Sequence, residues 1–275
     1  MDYQLFHIFR NTPLGRETLL QSLYFCKTVG ASPLIYVPEF IKFLMYFEND
    51  VVQVNLDDSY LTSKETAKIH VLELVKQAGL DPGFLTPKNY TASTLPDIPT
   101  NFDFMCCPRS ISDVTTKIGL GYIGQSVRRI VKSAKFPVLL TSPVYKKWES
   151  ITVFFGGSPN AVNALKLGIR ISRESGMPLD IFTQVEKKYK NTYKEIIKEN
   201  NLEKDVDKHV NNWRIFDKGA FDENLYEVPH NSLAVVGAFG HGLIRDIAFG
   251  SNMEKIHSTL SNNLLITGPN YTMVR

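Results

Sequence analysis

Cysteine is scarce in this sequence, and the three cysteines present do not have the spacing of a metal site. Cys26 stands alone and Cys106 is followed directly by Cys107, so no CxxC pair occurs. Domains held together by disulfides carry far more cysteine than this. The pattern predicts buried, reduced thiols and argues against a disulfide scaffold or a cysteine-bound metal.

A large excess of charge of either sign is also lacking. The 31 lysines and arginines against 28 acidic residues give a formal net charge of +3 over 275 residues. Nucleic-acid binders usually carry a strongly basic surface, often with aromatic residues interleaved, and no such run occurs here. We therefore expect no nucleic-acid partner.

Long apolar runs are missing as well. A membrane-spanning helix needs about 20 consecutive apolar residues. The most apolar short segment, Phe40 to Phe47, is interrupted by Lys42. The first residues, MDYQLFHIFRNTP, have neither the basic start nor the apolar centre of a secretory signal. The expectation is a cytoplasmic chain with no membrane partner.

The common catalytic motifs are absent. The sequence contains no GxxxxGK[ST] phosphate loop, no serine nucleophile elbow and no HExxH zinc motif. Its six histidines are scattered without the spacing of metal ligands. No catalytic residue and no metal ligand is therefore predicted.

What the sequence does contain is an internal repeat. FRNTPLG, from Phe9 to Gly15, aligns with FGGSPNA, from Phe155 to Ala161, at an offset of 146 residues. VLLTSPVY, beginning at Val138, aligns with LLITGPNY, beginning at Leu264, at an offset of 126. Self-similarity of this kind indicates tandem structural units.

The difference between the two offsets requires an insertion in the first half. The segment from Glu39 to Leu61 has no counterpart in the second half and is the best place for it. The halves meet near the polar segment YKKWES. We predict an N-terminal domain at 1–147 and a C-terminal domain at 148–275.

Both halves alternate strand-like and helix-like segments. Apolar residues recur at helical spacing from Ala161 to Ile169, and Gly176 has the position of a glycine that ends a helix. The predicted strands of the second half are ITVFFG, PLDIFTQV, HVNNWRIFD, SLAVVG and NLLITG. Alternating strand and helix units form a parallel sheet with helices on both faces. The predicted fold class is α/β, with two tandem five-stranded parallel-sheet domains.

A glycine-rich stretch follows the strand SLAVVG directly, with the spacing G-x2-G-x9-G-S. Glycines allow backbone N–H groups to approach an anion, and a helix that begins near the last glycine would direct its positive end at that anion. The alternative is a glycine-rich turn with no ligand. The residues that could bind a phosphate group here are Gly237, Gly240, His241, Arg245, Gly250, Ser251 and Asn252.

This spacing resembles the nucleotide-binding signature of the universal stress protein family. FGGSPNAVNALKLGIRIS and GSNMEKIHSTLSNNLLITGP resemble the first and last elements of that fold, and FRNTPLGRETLLQSLYF and GQSVRRIVKSAKFPVLLTSP resemble them more weakly. The resemblance implies the adenine nucleotide alpha hydrolase-like fold, whose members dimerise through edge strands. In a tandem chain, FPVLLTSP and NLLITGP would pair and form an intramolecular pseudo-dimer. A homodimer of whole chains is left open.

The resemblance also implies a ligand. It implies a small-molecule partner, ATP or another adenine nucleotide, bound by the C-terminal domain, with Mg²⁺ as an optional companion and at most weak ATP hydrolysis. Gly156, Gly157 and Ser158, at the end of the first strand, complete the predicted site. ATP-binding members carry an aspartate where this chain has Gly156, so the usual contact to the nucleoside is missing.

The first half departs further from the family pattern. Arg10 ends its predicted first strand, where the ATP-binding members carry aspartate. The offset of 126 residues places Ile111, Val114 and Gln125 at the positions that Gly237, Gly240 and Ser251 have in the second half. We predict that this half does not bind nucleotide in the usual mode.

Two functions stay open on this basis. The first is a nucleotide-binding regulatory or stress-response protein, and the second is a nucleotide-free interaction or scaffold protein of the same fold. A metabolic α/β enzyme such as a nucleotidyl transferase is a weaker third interpretation, because the histidine-rich signature of such enzymes is absent.

Overall fold

The structure, a computed structural model, describes most of the chain. The ranges it describes are 3–56, 63–88, 94–109, 123–185, 192–239 and 251–272. No helix within these ranges has the length and apolar character needed to span a membrane.

Strands and helices alternate along both halves. The first half contains β1 (Tyr3–Ile8), α1 (Pro13–Val29), β2 (Ala31–Tyr36), β3 (Lys42–Tyr46), β4 (Val51–Asn55), α2 (Lys64–Ala78), β5 (Gly83–Phe84), β6 (Asp97–Pro99), β7 (Phe104–Pro108), α3 (Gln125–Ser133) and β8 (Val138–Thr141). The second half contains β9 (Ser150–Phe154), α4 (Pro159–Ser175), β10 (Leu179–Gln184), α5 (Thr192–Glu199), α6 (Glu203–His209), β11 (Val210–Phe216), α7 (Phe221–Asn224), β12 (Ser232–Gly237), α8 (Ser251–Thr259) and β13 (Leu264–Thr267).

A ten-stranded sheet joins the two halves, in the order β11-β10-β9-β12-β13-β8-β7-β1-β2-β5. Within each half its strands are parallel. At the centre β13 pairs antiparallel with β8, so that Leu264 faces Leu140 and Ile266 faces Val138. The predicted α/β class, the two five-stranded sheets and the pairing of FPVLLTSP with NLLITGP are confirmed.

Local signals explain why α1 and α4 begin and end at matching places. Each is preceded by a hydroxyl residue, Thr12 or Ser158, whose side chain accepts a hydrogen bond from the backbone N–H three residues later, at 2.9 and 3.1 Å. Each helix then begins with proline. Gly30 and Gly176 end the helices in the left-handed conformation, with φ of 67° and 71°. The residues that repeat in the sequence therefore include those that cap these two helices.

The insertion predicted from Glu39 to Leu61 forms extra β structure. Strands β3 and β4 form an antiparallel hairpin, and β6 joins β3 in parallel to give a separate three-stranded sheet. Phe43 and Met45 of β3 are fully buried in the core beside the main sheet. Residues 57–61 lie outside the described ranges.

The segment between the halves packs against α1. The side chains of Glu17 and Gln21 accept hydrogen bonds from the backbone of residues 145 and 146, and the Tyr24 hydroxyl donates to the carbonyl of Trp148. The Trp148 side chain is buried. The domain boundary that we predict between residues 147 and 148 falls in this segment and stays a prediction.

The three cysteines are free and buried in the core, as predicted from their pattern. Burial raises the pKa of the Cys106 thiol to about 12. Since the thiolate is the reactive form, these cysteines are poor nucleophiles.

Two buried histidines predict a loss of stability in acid. His7 and His257 are at most 1% exposed, and His7 Nδ1 lies 2.7 Å from Ser22 Oγ. Burial lowers the pKa of each imidazole from 6.5 to about 3, and Arg109 contributes to the shift at His257. The unfolded chain thus binds protons below about pH 6.5 that the folded chain does not bind, and stability falls as pH drops from there towards 3.

The expected slope is about 1.4 kcal/mol per pH unit for each histidine. Urea unfolding of the wild type and of His7→Leu, between about pH 7 and pH 5, measures it. The variant should lose less stability on acidification, because one of the two proton sites is gone. Equal losses in the two proteins would contradict the assignment to His7.

Candidate functional site

The second half contains a topological switch point between β9 and β12. From β9 the chain proceeds outward to β10 and β11, and it then returns to place β12 on the other side of β9. The two strands pair in parallel, with Phe154 beside Val236, so their carboxyl ends lie next to each other. Open parallel sheets bind ligands in the crevice at such a point.

The turn from β9 into α4 lies at this edge of the sheet. Gly157 has a φ of 75°, a conformation that favours glycine, and a Cβ atom there would lie 2.8 Å from Ile196 Cδ1. Ser158 is 6% exposed, and its hydroxyl accepts a hydrogen bond from the N–H of Ala161. The Ser158 side chain therefore caps α4, and Gly156 offers no side chain at all.

The end of β12 lies directly against the first turn of α4. A Cβ atom added to Gly237 would lie 2.3 Å from the carbonyl oxygen of Asn160 and 2.6 Å from the nitrogen of Ala161. The Asn160 amide also donates a 2.5 Å hydrogen bond to the carbonyl of Ala238. The close approach of helix and strand therefore requires Gly237, with or without a ligand.

Strand pairing shows which residue of the first half corresponds to Gly237. Thr267 of β13 pairs with Gly237, and Thr141, its counterpart in β8, pairs with Pro108. The prediction that Ile111 takes the place of Gly237 is therefore wrong, because the offset of 126 residues does not extend back to β7. At the matching position the first half therefore has Pro108, which has no backbone N–H.

The helix that follows the glycine stretch begins where the sequence predicts. Helix α8 starts at Ser251, and only the backbone of Ser251 and Asn252 is described. Because α8 leads into the amino end of the parallel strand β13, its own N-terminus lies at the carboxyl edge of the sheet. Gly240, His241, Arg245 and Gly250 lie outside the described residues.

Arg109, which follows β7 in the first half, holds the other end of α8. Its guanidinium group donates hydrogen bonds to the carbonyls of His257, Leu260 and Asn262, at 2.8, 3.1 and 2.9 Å. The side chain is 8% exposed, and burial lowers its pKa to about 10. We did not predict this role, and an arginine after an apolar strand was the only signal for it in the sequence.

A metal site was not predicted. Within the described ranges, no three histidine, cysteine or acidic side chains come together in a group that could hold a metal ion.

Known proteins share this fold across nearly the whole chain. No protein-family model and no curated protein sequence matches it. A universal stress protein from Archaeoglobus fulgidus is 14% identical, with 96% of this chain and 98% of that chain covered and a TM-score of 0.61. A proposed universal stress protein from Pseudomonas aeruginosa is 11% identical, with 98% and 94% covered and a TM-score of 0.56.

A protein of another kind also shares the architecture. The cytoplasmic domain of a prokaryotic cation chloride cotransporter is 9% identical, with 97% of this chain and 95% of that chain covered and a TM-score of 0.54. Identities this low establish the fold and not the activity. The fold of this chain is that of the universal stress proteins.

Proposed function

We propose that this chain is a cytoplasmic regulatory or stress-response protein whose C-terminal half binds ATP or another adenine nucleotide. The observation that carries the proposal is the switch point between β9 and β12. The turn into α4 and the glycine stretch leave the sheet there, and both α4 and α8 begin at that edge.

The crevice is suited to phosphate more than to a nucleoside. Helix N-termini and backbone N–H groups stabilise negative charge. The position of Gly156 provides no carboxylate for a ribose hydroxyl. Affinity should therefore rise with the number of phosphates, by about tenfold from AMP to ATP. Mg²⁺ would enter only as a companion of the phosphates.

Isothermal titration calorimetry with ATP, ADP and AMP tests the proposal. Ser251→Ala removes the predicted hydroxyl donor and should weaken ATP binding about tenfold. Ser258→Ala is the matched control, since Ser258 is exposed on the same helix and its hydroxyl donates only to the carbonyl of Lys255. Gly240→Val should weaken ATP binding more than Ser251→Ala does.

No heat of binding at millimolar nucleotide, with Gly240→Val indistinguishable from the wild type, would refute nucleotide binding. Thermal unfolding of each variant separates a lost ligand contact from a damaged fold. At most weak ATP hydrolysis is expected, because the sequence has no common catalytic motif.

A nucleotide-free scaffold is the second candidate, and two observations favour it. Packing and backbone conformation account for Gly237 and Gly157 without any ligand, and the end of β9 has no acidic residue. Nucleotide that co-purifies with the protein distinguishes the candidates. An absorbance spectrum of freshly purified protein with no nucleotide contribution, together with a flat ATP titration, would favour the scaffold.

A further inference from the structure

The first half contains a cavity that the inserted segment helps to form. It has a volume of about 220 Å³ and lies at the carboxyl ends of β2 and β5, beside the start of α2. Its wall includes Tyr36, Phe40, Lys64, Lys68, Phe84 and Pro96. Phe40 belongs to the insertion, which has no counterpart in the second half. The cavity is thus separate from the switch-point crevice.

The two lysines of the cavity differ in their partners. Lys64 forms an ion pair with Glu39, another residue of the wall. The Lys68 ammonium lies 5.6 Å from the centre of the Phe84 ring and, within the described ranges, has no carboxylate partner. The aromatic ring carries no charge, so the positive charge of Lys68 is available to a negatively charged ligand.

Tyr36 adds a hydrogen-bond donor to the same wall. Its side chain is 3% exposed and packs edge-on against Phe43, with ring centres 5.3 Å apart. Within the described part of the chain, its hydroxyl has no hydrogen-bond partner. Burial raises the pKa of Tyr36 to about 12, so the group keeps its proton near neutral pH. Because Tyr36 lines the cavity, its hydroxyl is placed to donate a hydrogen bond to a ligand there.

We propose that the cavity binds a small aromatic carboxylate. The ring would pack against Phe40, Phe84 and Pro96, and the carboxylate would accept hydrogen bonds from Lys68 and Tyr36. One unpaired cation and one neutral donor match a single negative charge. Of the two lysines on the wall, Lys64 is paired with Glu39, so the wall suits a singly charged carboxylate better than a doubly charged phosphate.

Benzoate is the probe for this proposal, with binding followed by amide chemical shifts of the ¹⁵N-labelled full chain. We expect a dissociation constant on the order of a millimolar, as is usual for so small a ligand. The shifts should be largest at Val37 and Leu85, which line the cavity. Benzyl alcohol, similar in shape but neutral, should bind at least about tenfold more weakly.

Two conservative variants test the donors separately. Lys68→Gln and Tyr36→Phe should each weaken benzoate binding about tenfold. Lys208→Gln, on the exposed surface of α6, should bind like the wild type. The absence of benzoate-dependent shifts, shifts confined to other parts of the chain, or unchanged affinity in both variants would each overturn the proposal. ATP titration of the same variants should be unchanged, which keeps this test independent of the nucleotide proposal.

Discussion

Replacing Arg109 with methionine is expected to lower the free energy of unfolding by about 3 kcal/mol. The guanidinium group satisfies three carbonyl oxygens at and beyond the end of α8, and it is buried while doing so. Methionine fills a similar volume but has no donor, so those oxygens lose their charged partner. Urea unfolding monitored by circular dichroism measures the loss.

Two further variants make the test of Arg109 specific. Arg173→Met alters an exposed arginine on α4 and should change stability by less than about 0.5 kcal/mol. Arg109→Lys keeps the charge but not the planar fork of donors. Its free energy of unfolding should lie between those of the wild type and Arg109→Met. Hydrogen exchange should accelerate most in α8. Wild-type stability in Arg109→Met would show that these hydrogen bonds contribute little.

Gly237→Ala is expected to destabilise the protein by about 3 kcal/mol, even when no nucleotide is present. The added methyl group would lie 2.3 Å from the carbonyl oxygen of Asn160, and this neighbour is backbone within the first turn of α4. Strand and helix would have to separate to accept it, which also strains the hydrogen bond from Asn160 to Ala238.

Gly30→Ala provides the comparison for Gly237. Gly30 has open space around its Cα but a φ of 67°, so alanine there should cost about 1 kcal/mol of conformational strain. Urea unfolding of both variants, followed by ATP titration, separates the two explanations of Gly237. A variant Gly237→Ala that keeps wild-type stability yet no longer binds ATP would show that the glycine serves the ligand instead of the packing.

The elements that could be predicted are those whose signals are local. Thr12, Ser158, Gly30 and Gly176 mark helix ends through short-range hydrogen bonds and backbone conformation, so the repeat was visible in the sequence. The alternation of strand and helix then indicated a parallel sheet. The start of α8 beside Ser251 was predictable for the same reason.

The candidate site was predictable only in part. Gly156, Gly157, Ser158 and Gly237 lie along β9, β12 and the turn into α4, as the strand order requires. Their chemical roles were not visible from spacing, because a glycine beside a phosphate and a glycine beside a helix backbone look alike in a sequence. The structure shows that Gly237 lies beside the backbone of a helix.

By itself, the sequence determined that this chain has two α/β halves, because periodicity, caps and repeats act over short distances. The pairing of their last strands was expected only from the resemblance to the universal stress proteins. Only the tertiary structure decided which residues meet across long separations. Arg109 bonds to residues about 150 positions away in the chain, and the inserted segment meets α2 around a cavity. Such contacts depend on how whole elements pack, and no local pattern encodes them.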